Sequence, residues 1–73
     1  MHISEARKIL DSNLRVQLKC WKKDGSILEI NECVCISSWV RKGTRRVKIF
    51  PSYQIREIRD VCIFELNHEE VFL

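Results

Sequence analysis

A stretch of strict alternation and a longer apolar-rich run flank a single Asp-Gly pair, and they constrain the fold more than any other feature of the chain. Leu14, Val16, Leu18 and Cys20 alternate with Arg15, Gln17, Lys19 and Trp21, the period-two pattern of a strand with one buried face. Lys22-Lys23-Asp24-Gly25-Ser26 turns the chain, and Ile27 to Ile36 forms a second, longer strand. A two-residue Asp24-Gly25 loop would set Leu18 against Asn31 and Cys20 against Glu29, apolar against polar. A three-residue loop, Lys23-Asp24-Gly25, puts glycine where a type I turn with a bulge needs positive φ. It pairs Cys20 with Leu28, Leu18 with Ile30 and Leu14 with Val34, so the apolar faces coincide. Glu32 then falls on the inner face opposite Val16, which predicts a bulge or bend near Asn31-Glu32. Such a bend carries a strand from one side of a small barrel to the other.

The remaining elements are shorter. Residues 4–12 read as a helix: Ser4 suits the N-cap, Glu5 and Lys8 suit the two ends of the dipole, and Asn13 can take the left-handed conformation that closes it. Ile3, Ala6 and Leu10 fall on one stripe with Ile9 beside it, a face that must dock on the strands. Residues 37–44 read as a loop or open hairpin tip. Arg45 to Phe50 return as a strand with Val47 and Ile49 on one face and Arg46, Lys48 and Phe50 on the other, and Pro51-Ser52 breaks it. Residues 54–60 fit a helical turn or a bulged strand, and 61–66 and 71–73 form a closing hairpin around Asn67-His68. Seventy-three residues make one domain, 1–73, with a thin core. The fold class is α+β, mostly β: a short helix (4–12) on a small five-stranded SH3-like barrel (14–73), with an OB-like barrel as the alternative. The expected core is Leu10, Leu14, Val16, Leu18, Leu28, Ile30, Val34, Ile36, Val47, Ile49, Ile63 and Phe64.

The amino-terminal residues lack the apolar stretch of a secretory signal, and no apolar run approaches the roughly 20 residues that cross a bilayer. A cytoplasmic, reducing location is therefore expected, with Cys20, Cys33, Cys35 and Cys62 as free thiols. A mature secreted chain would instead form two disulfides from these four, and the initiator Met1 argues against that. Cys33 and Cys35 are spaced unlike the turn-borne pairs of structural zinc sites, and in the favoured register Cys20 faces the core while Cys33 faces away. No metal is expected.

Only two histidines occur, His2 near a terminus and His68 beside Glu69 and Glu70, and neither belongs to a nucleophile–base motif. Asp60 and Glu65 are present, but a barrel this small leaves little room for a cleft. The two glycines stand apart, so there is no phosphate-binding loop. The chain reads as a binding module with no catalytic residue, no cofactor and no small-molecule substrate.

Charge is the most informative functional feature. Residues 41–59 hold seven basic residues against one acid, whereas the rest of the chain holds six against nine. Trp39, Phe50 and Tyr53 lie within or beside this stretch. Cations around exposed rings suit a single-stranded nucleic acid, charge for phosphates and rings for bases. The expected site is Arg41, Lys42, Arg45, Arg46 and Lys48 on phosphate, with Trp39 or Tyr53 stacking on bases. The plainer reading is a solvated strand face whose cations discourage edge-to-edge aggregation. A second expected surface is a protein interface, between copies of this chain or with another protein, at Phe64, Val71, Phe72 and Leu73. Strand 61–66 is apolar on both faces and must be covered on both.

The Lys22-Lys23-Asp24-Gly25-Ser26-Ile27 turn, the Arg41-Lys42-Gly43-Thr44-Arg45-Arg46 segment and the Ile58-Arg59-Asp60-Val61 run resemble short, functionally uncharacterised bacterial and phage-borne proteins with an SH3-like β-barrel. That resemblance spans about residues 14–73 and implies the fold and a link with mobile elements. It implies no activity and no functional residues.

Overall fold

A computed structural model covers residues 1–73. Helix α1 (Ile3–Asp11) is followed by strands β1 (Val16–Trp21), β2 (Ile27–Trp39), β3 (Thr44–Ile49) and β4 (Gln54–Arg59). A 3-10 turn at Asp60–Cys62 then leads into β5 (Ile63–Leu66) and β6 (Glu69–Glu70). All six strands form one antiparallel sheet in the order β4-β3-β2-β1-β5-β6. The sheet is not closed: β4 is one edge and β6 the other. The architecture is thus a small, mostly β, α+β fold with six strands in place of the expected five.

The first hairpin has the register its side chains demand. Cys20 pairs with Leu28 and Leu18 with Ile30, and the Lys22 N–H donates to the Ser26 carbonyl at 2.8 Å, leaving the three-residue loop Lys23-Asp24-Gly25. Gly25 has φ +86 with no atom near the place of a Cβ, so a side chain there costs backbone strain alone. Gly25→Ala is expected to cost about 1–2 kcal/mol. In a domain of this size that lowers the melting temperature by about 4–8 °C per kcal/mol, and thermal denaturation reads it directly.

The bulge at Asn31-Glu32 is present, because Val16 pairs with Cys33 while Leu18 pairs with Ile30. Its consequence differs from expectation. The extra residue reverses which side chains point inward beyond it, so Cys33 and Cys35 join the core, Val34 is half-buried and Ile36 is exposed. Cys20 and Cys33 therefore share the core instead of facing apart. Leu14 lies before β1 and is 62% exposed, so its pairing with Val34 does not form. A second irregularity between Cys35 and Ser37 lets β2 run on to Trp39, and Val40–Gly43 alone form the turn expected over 37–44.

The helix begins one residue early. The His2 imidazole Nδ1, not Ser4, caps it by accepting from the Ser4 N–H, and Asn13 closes the segment at φ 61 as its side chain favours. Ile3, Ala6 and Leu10 are buried, with Ile9 packed beside them. The core otherwise comprises Val16, Leu18, Cys20, Ile30, Cys33, Cys35, Val47, Ile58, Ile63, Leu66 and Val71; Leu28 and Ile49 line it, while Phe64 is half-buried outside it.

Residues 54–59 form a strand without a bulge, so the strand reading of that segment holds, and the helical turn comes after it at 60–62. The closing hairpin turns at Asn67 (φ 50) and His68 (φ 65), but its return strand is Glu69–Glu70. Residues 71–73 run instead beside the amino terminus: Ile3 N–H donates to Phe72 O at 2.7 Å and Phe72 N–H to Met1 O at 3.0 Å.

Burial pushes the Cys33 thiol up to about 11, with Cys35 and Cys20 adding to the shift, and burial also raises Cys20. A thiol that ionises more readily unfolded than folded supports the fold fully below its unfolded value, here 9.0, and loses that support as pH rises toward about 11. The melting temperature is expected to fall between pH 8.5 and 10.5, and to fall less in Cys33→Ala. Equal pH profiles for the two proteins would refute the assignment.

Candidate nucleic-acid interface

The basic segment does not stay together as one strand face. Alternation in β3 puts Arg45 on the side of Val47, and it is 4% exposed. Its Nε donates to Asp60 Oδ1 at 2.6 Å and its Nη2 to Asp60 Oδ2 at 3.1 Å. Nη1 reaches Asp11 Oδ1 at 3.2 Å and Cys35 Sγ at 3.6 Å. Arg7 Nε donates to the same Asp60 carboxylate at 3.2 Å. Burial works against the Arg45 charge, but the hydrogen bonds and attraction of Asp60 outweigh it and raise its pKa above the ordinary value. Arg45 therefore ties α1, β3 and the 3-10 turn together and is not free for phosphate.

The other expected residues divide between two ends of β3. At one end, Trp39 pairs with Thr44, the Lys42 ammonium sits 4.1 Å from the Trp39 ring centroid, and Arg46 is exposed opposite Glu57. Arg41 is exposed in the turn beside them. At the other end, Lys48 lies 6.0 Å from the Tyr53 ring, whose edge packs on Phe50 at 5.5 Å. Trp39 and Tyr53 are thus separated by the length of β3, about 17 Å at strand rise. They cannot stack adjacent bases.

A different groove gathers the cations. It lies between the tip of the β1–β2 hairpin, edge strand β4, the 3-10 turn and the β2–β3 turn, and opens to solvent over about 700 Å³. Leu28 and Cys62 supply partly exposed apolar surface over the buried Cys20 and Ile58, and Lys22, Lys23, Lys42, Arg56 and Arg59 line the rest with only Glu57 as an acid. None of these five cations is in an ion pair, whereas Arg7, Arg15, Lys19 and Arg45 all are. Trp21 stands at the rim, 49% exposed, against Phe64 at 5.0 Å between ring centroids and 35° between planes. A smaller recess of about 320 Å³ adjoins it, sharing Lys42, Thr44 and Glu57 and adding Arg46 and Trp39.

Sequence reading counted Arg56 and Arg59 in the basic stretch 41–59 without placing them in the site, and missed Lys22, Lys23 and Trp21, which lie on a separate segment. For those three the local signal was Trp21-Lys22-Lys23 at a hairpin tip, a ring beside two cations where a loop leaves them exposed.

The expected interface at the carboxy terminus is mostly used within the chain. Val71 is buried in the core, Phe64 packs on Trp21, and Phe72 meets the His2 ring edge-on at 5.9 Å while remaining half exposed. Leu73 is exposed. The amino-terminal residues pair with residues 71–73, and Val61, Phe72 and Leu73 keep exposed apolar surface. No helix is long and apolar enough to cross a membrane, and the four cysteines are unpaired thiols. No protein-family model, curated protein or solved structure matches the chain.

Proposed function

We propose that this chain is a small non-enzymatic binding module that takes up nucleic acid along the basic groove between the β1–β2 hairpin and β4. The observation that carries this reading is the convergence of five unpaired cations on a groove holding one carboxylate. A merely solubilising set of lysines and arginines needs no common recess, and cations without carboxylate partners keep their full attraction for phosphate. The strand order lends support from the fold. A four-strand meander whose first strand also pairs with β5 supports the reading of an SH3-like barrel, with the groove beside the β4 edge.

Fluorescence anisotropy with a labelled oligonucleotide at about 50 and 200 mM salt tests the reading. Five phosphate contacts on a single strand correspond to a log–log salt slope of about −3.5, so affinity is expected to fall roughly 100-fold across that interval. Absence of binding at 50 mM, or binding indifferent to salt, would overturn it.

A further inference from the structure

We infer that the groove takes a single strand and seats one unstacked base against its apolar surface beside Trp21; this deepens the nucleic-acid reading and rests on it. Cations alone would serve a duplex as well as a single strand, since both present phosphates. The distinguishing feature is what lies between the cations. Leu28 and Cys62, both partly exposed over the buried Cys20 and Ile58, carry no charge and offer nothing to a phosphate, but with Trp21 they are a fit surface for the face of a base. The recess, open to solvent on one side, has about 700 Å³ of space, room for one base.

Trp21 is better placed than Trp39 to stack on that base. Phe64 supports its indole from one side while the ring stays half exposed, so it is held in place before binding. Trp39, by contrast, already carries the Lys42 ammonium over its ring at 4.1 Å. A base in a duplex is stacked and paired, and unstacking it costs free energy that a single strand does not owe. The apolar surface therefore discriminates between the two, while the rim of Lys22, Lys23, Arg56 and Arg59 attracts either.

Cys62 gives a reporter within the groove, because it is the one cysteine that is not fully buried. The experiment uses the full chain with ten-nucleotide oligothymidine, oligouridine, a duplex of the same length and inorganic polyphosphate. Affinity is read by anisotropy, and alkylation of Cys62 by N-ethylmaleimide is followed by mass spectrometry. Both single strands are expected to bind at least tenfold more tightly than the duplex and to slow Cys62 alkylation by about tenfold or more. Trp21→Ala is expected to weaken single-strand binding by about 10- to 100-fold and to leave duplex and polyphosphate binding unchanged. Trp39→Ala should leave the single-strand preference intact. Protection by oligouridine alone would assign the site to RNA, and by oligothymidine alone to DNA, each supporting the seated base.

Equal affinity for duplex and single strand, or single-strand binding that leaves Cys62 as reactive as before, would overturn this inference while sparing the nucleic-acid reading. No binding of any oligonucleotide at 50 mM salt would overturn both. Should Trp21→Ala fail to fold, Cys62 protection in the unaltered protein decides the matter by itself.

Discussion

Arg45→Ala is expected to unfold this domain or bring it close to unfolding. The side chain is 4% exposed and holds Asp60 through two hydrogen bonds at 2.6 and 3.1 Å. Removing one partner of a buried pair leaves the other charged and desolvated, at a cost of about 3–5 kcal/mol. A chain of this size has a total stability of roughly 4–11 kcal/mol. The melting temperature should fall by tens of degrees, measured by circular dichroism. The same loss is expected of Asp60→Leu, which leaves both Arg45 and Arg7 facing an apolar side chain.

Combining Arg45→Met with Asp60→Leu is expected to recover much of the loss of either change alone, because an apolar pair of similar volume has no desolvation cost. A fall of less than about 5 °C in Arg45→Ala would contradict the burial of this pair. The Arg15–Glu32 pair provides the contrast: its 2.6 Å distance is as short, but the side chains are 62% and 46% exposed. Water and salt screen it, and Arg15→Ala should cost at most about 1 kcal/mol through the ion pair. Distance alone does not rank these two contacts; solvent access does.

The second large effect is expected at the groove. Arg56→Glu with Arg59→Glu should weaken oligonucleotide binding by about 100-fold or more at 50 mM salt, since each lost charge-assisted contact is worth about 1.5–3 kcal/mol and each new carboxylate repels phosphate. The salt slope should become shallower by about 1.4, the share of two contacts on a single strand. Neither arginine makes an ion pair, so the melting temperature should change little. Lys8→Glu with Lys48→Glu changes the net charge by the same amount away from the groove and should weaken binding only slightly. Equal losses from the two double variants would mean that net charge, not the groove, governs affinity.

The two arginines of the Arg45-Arg46 pair show how unevenly a basic segment maps onto function. Adjacent in sequence, they were expected to act together on phosphate. One is locked under the helix and the other stands in water beside Glu57. Period-two alternation alone places Arg45 with Val47 and Ile49, so its inward direction was legible in the strand. Its partners were not. Asp60 lies 15 residues away and Asp11 lies 34 away, and no local pattern says that a turn and a helix end will converge there.

What the amino-acid order by itself determined is the local geometry. The Lys23-Asp24-Gly25 loop, the pairing of Cys20 with Leu28 and Leu18 with Ile30, the bulge at Asn31-Glu32, the buried stripe of the helix and the left-handed Asn13 all follow from neighbouring residues. Backbone dihedrals and strand register are set over a few positions, and side-chain alternation reports them. The tertiary structure alone decided which face each side chain presents beyond the bulge, which charges are neutralised, and which segments share a groove. Cys33 and Cys35 point inward because one extra residue reverses the alternation, and Lys22 and Arg56 line one groove although they lie on separate segments. Such meetings depend on how whole elements pack, since a side chain's charge and exposure are set by its neighbours in space.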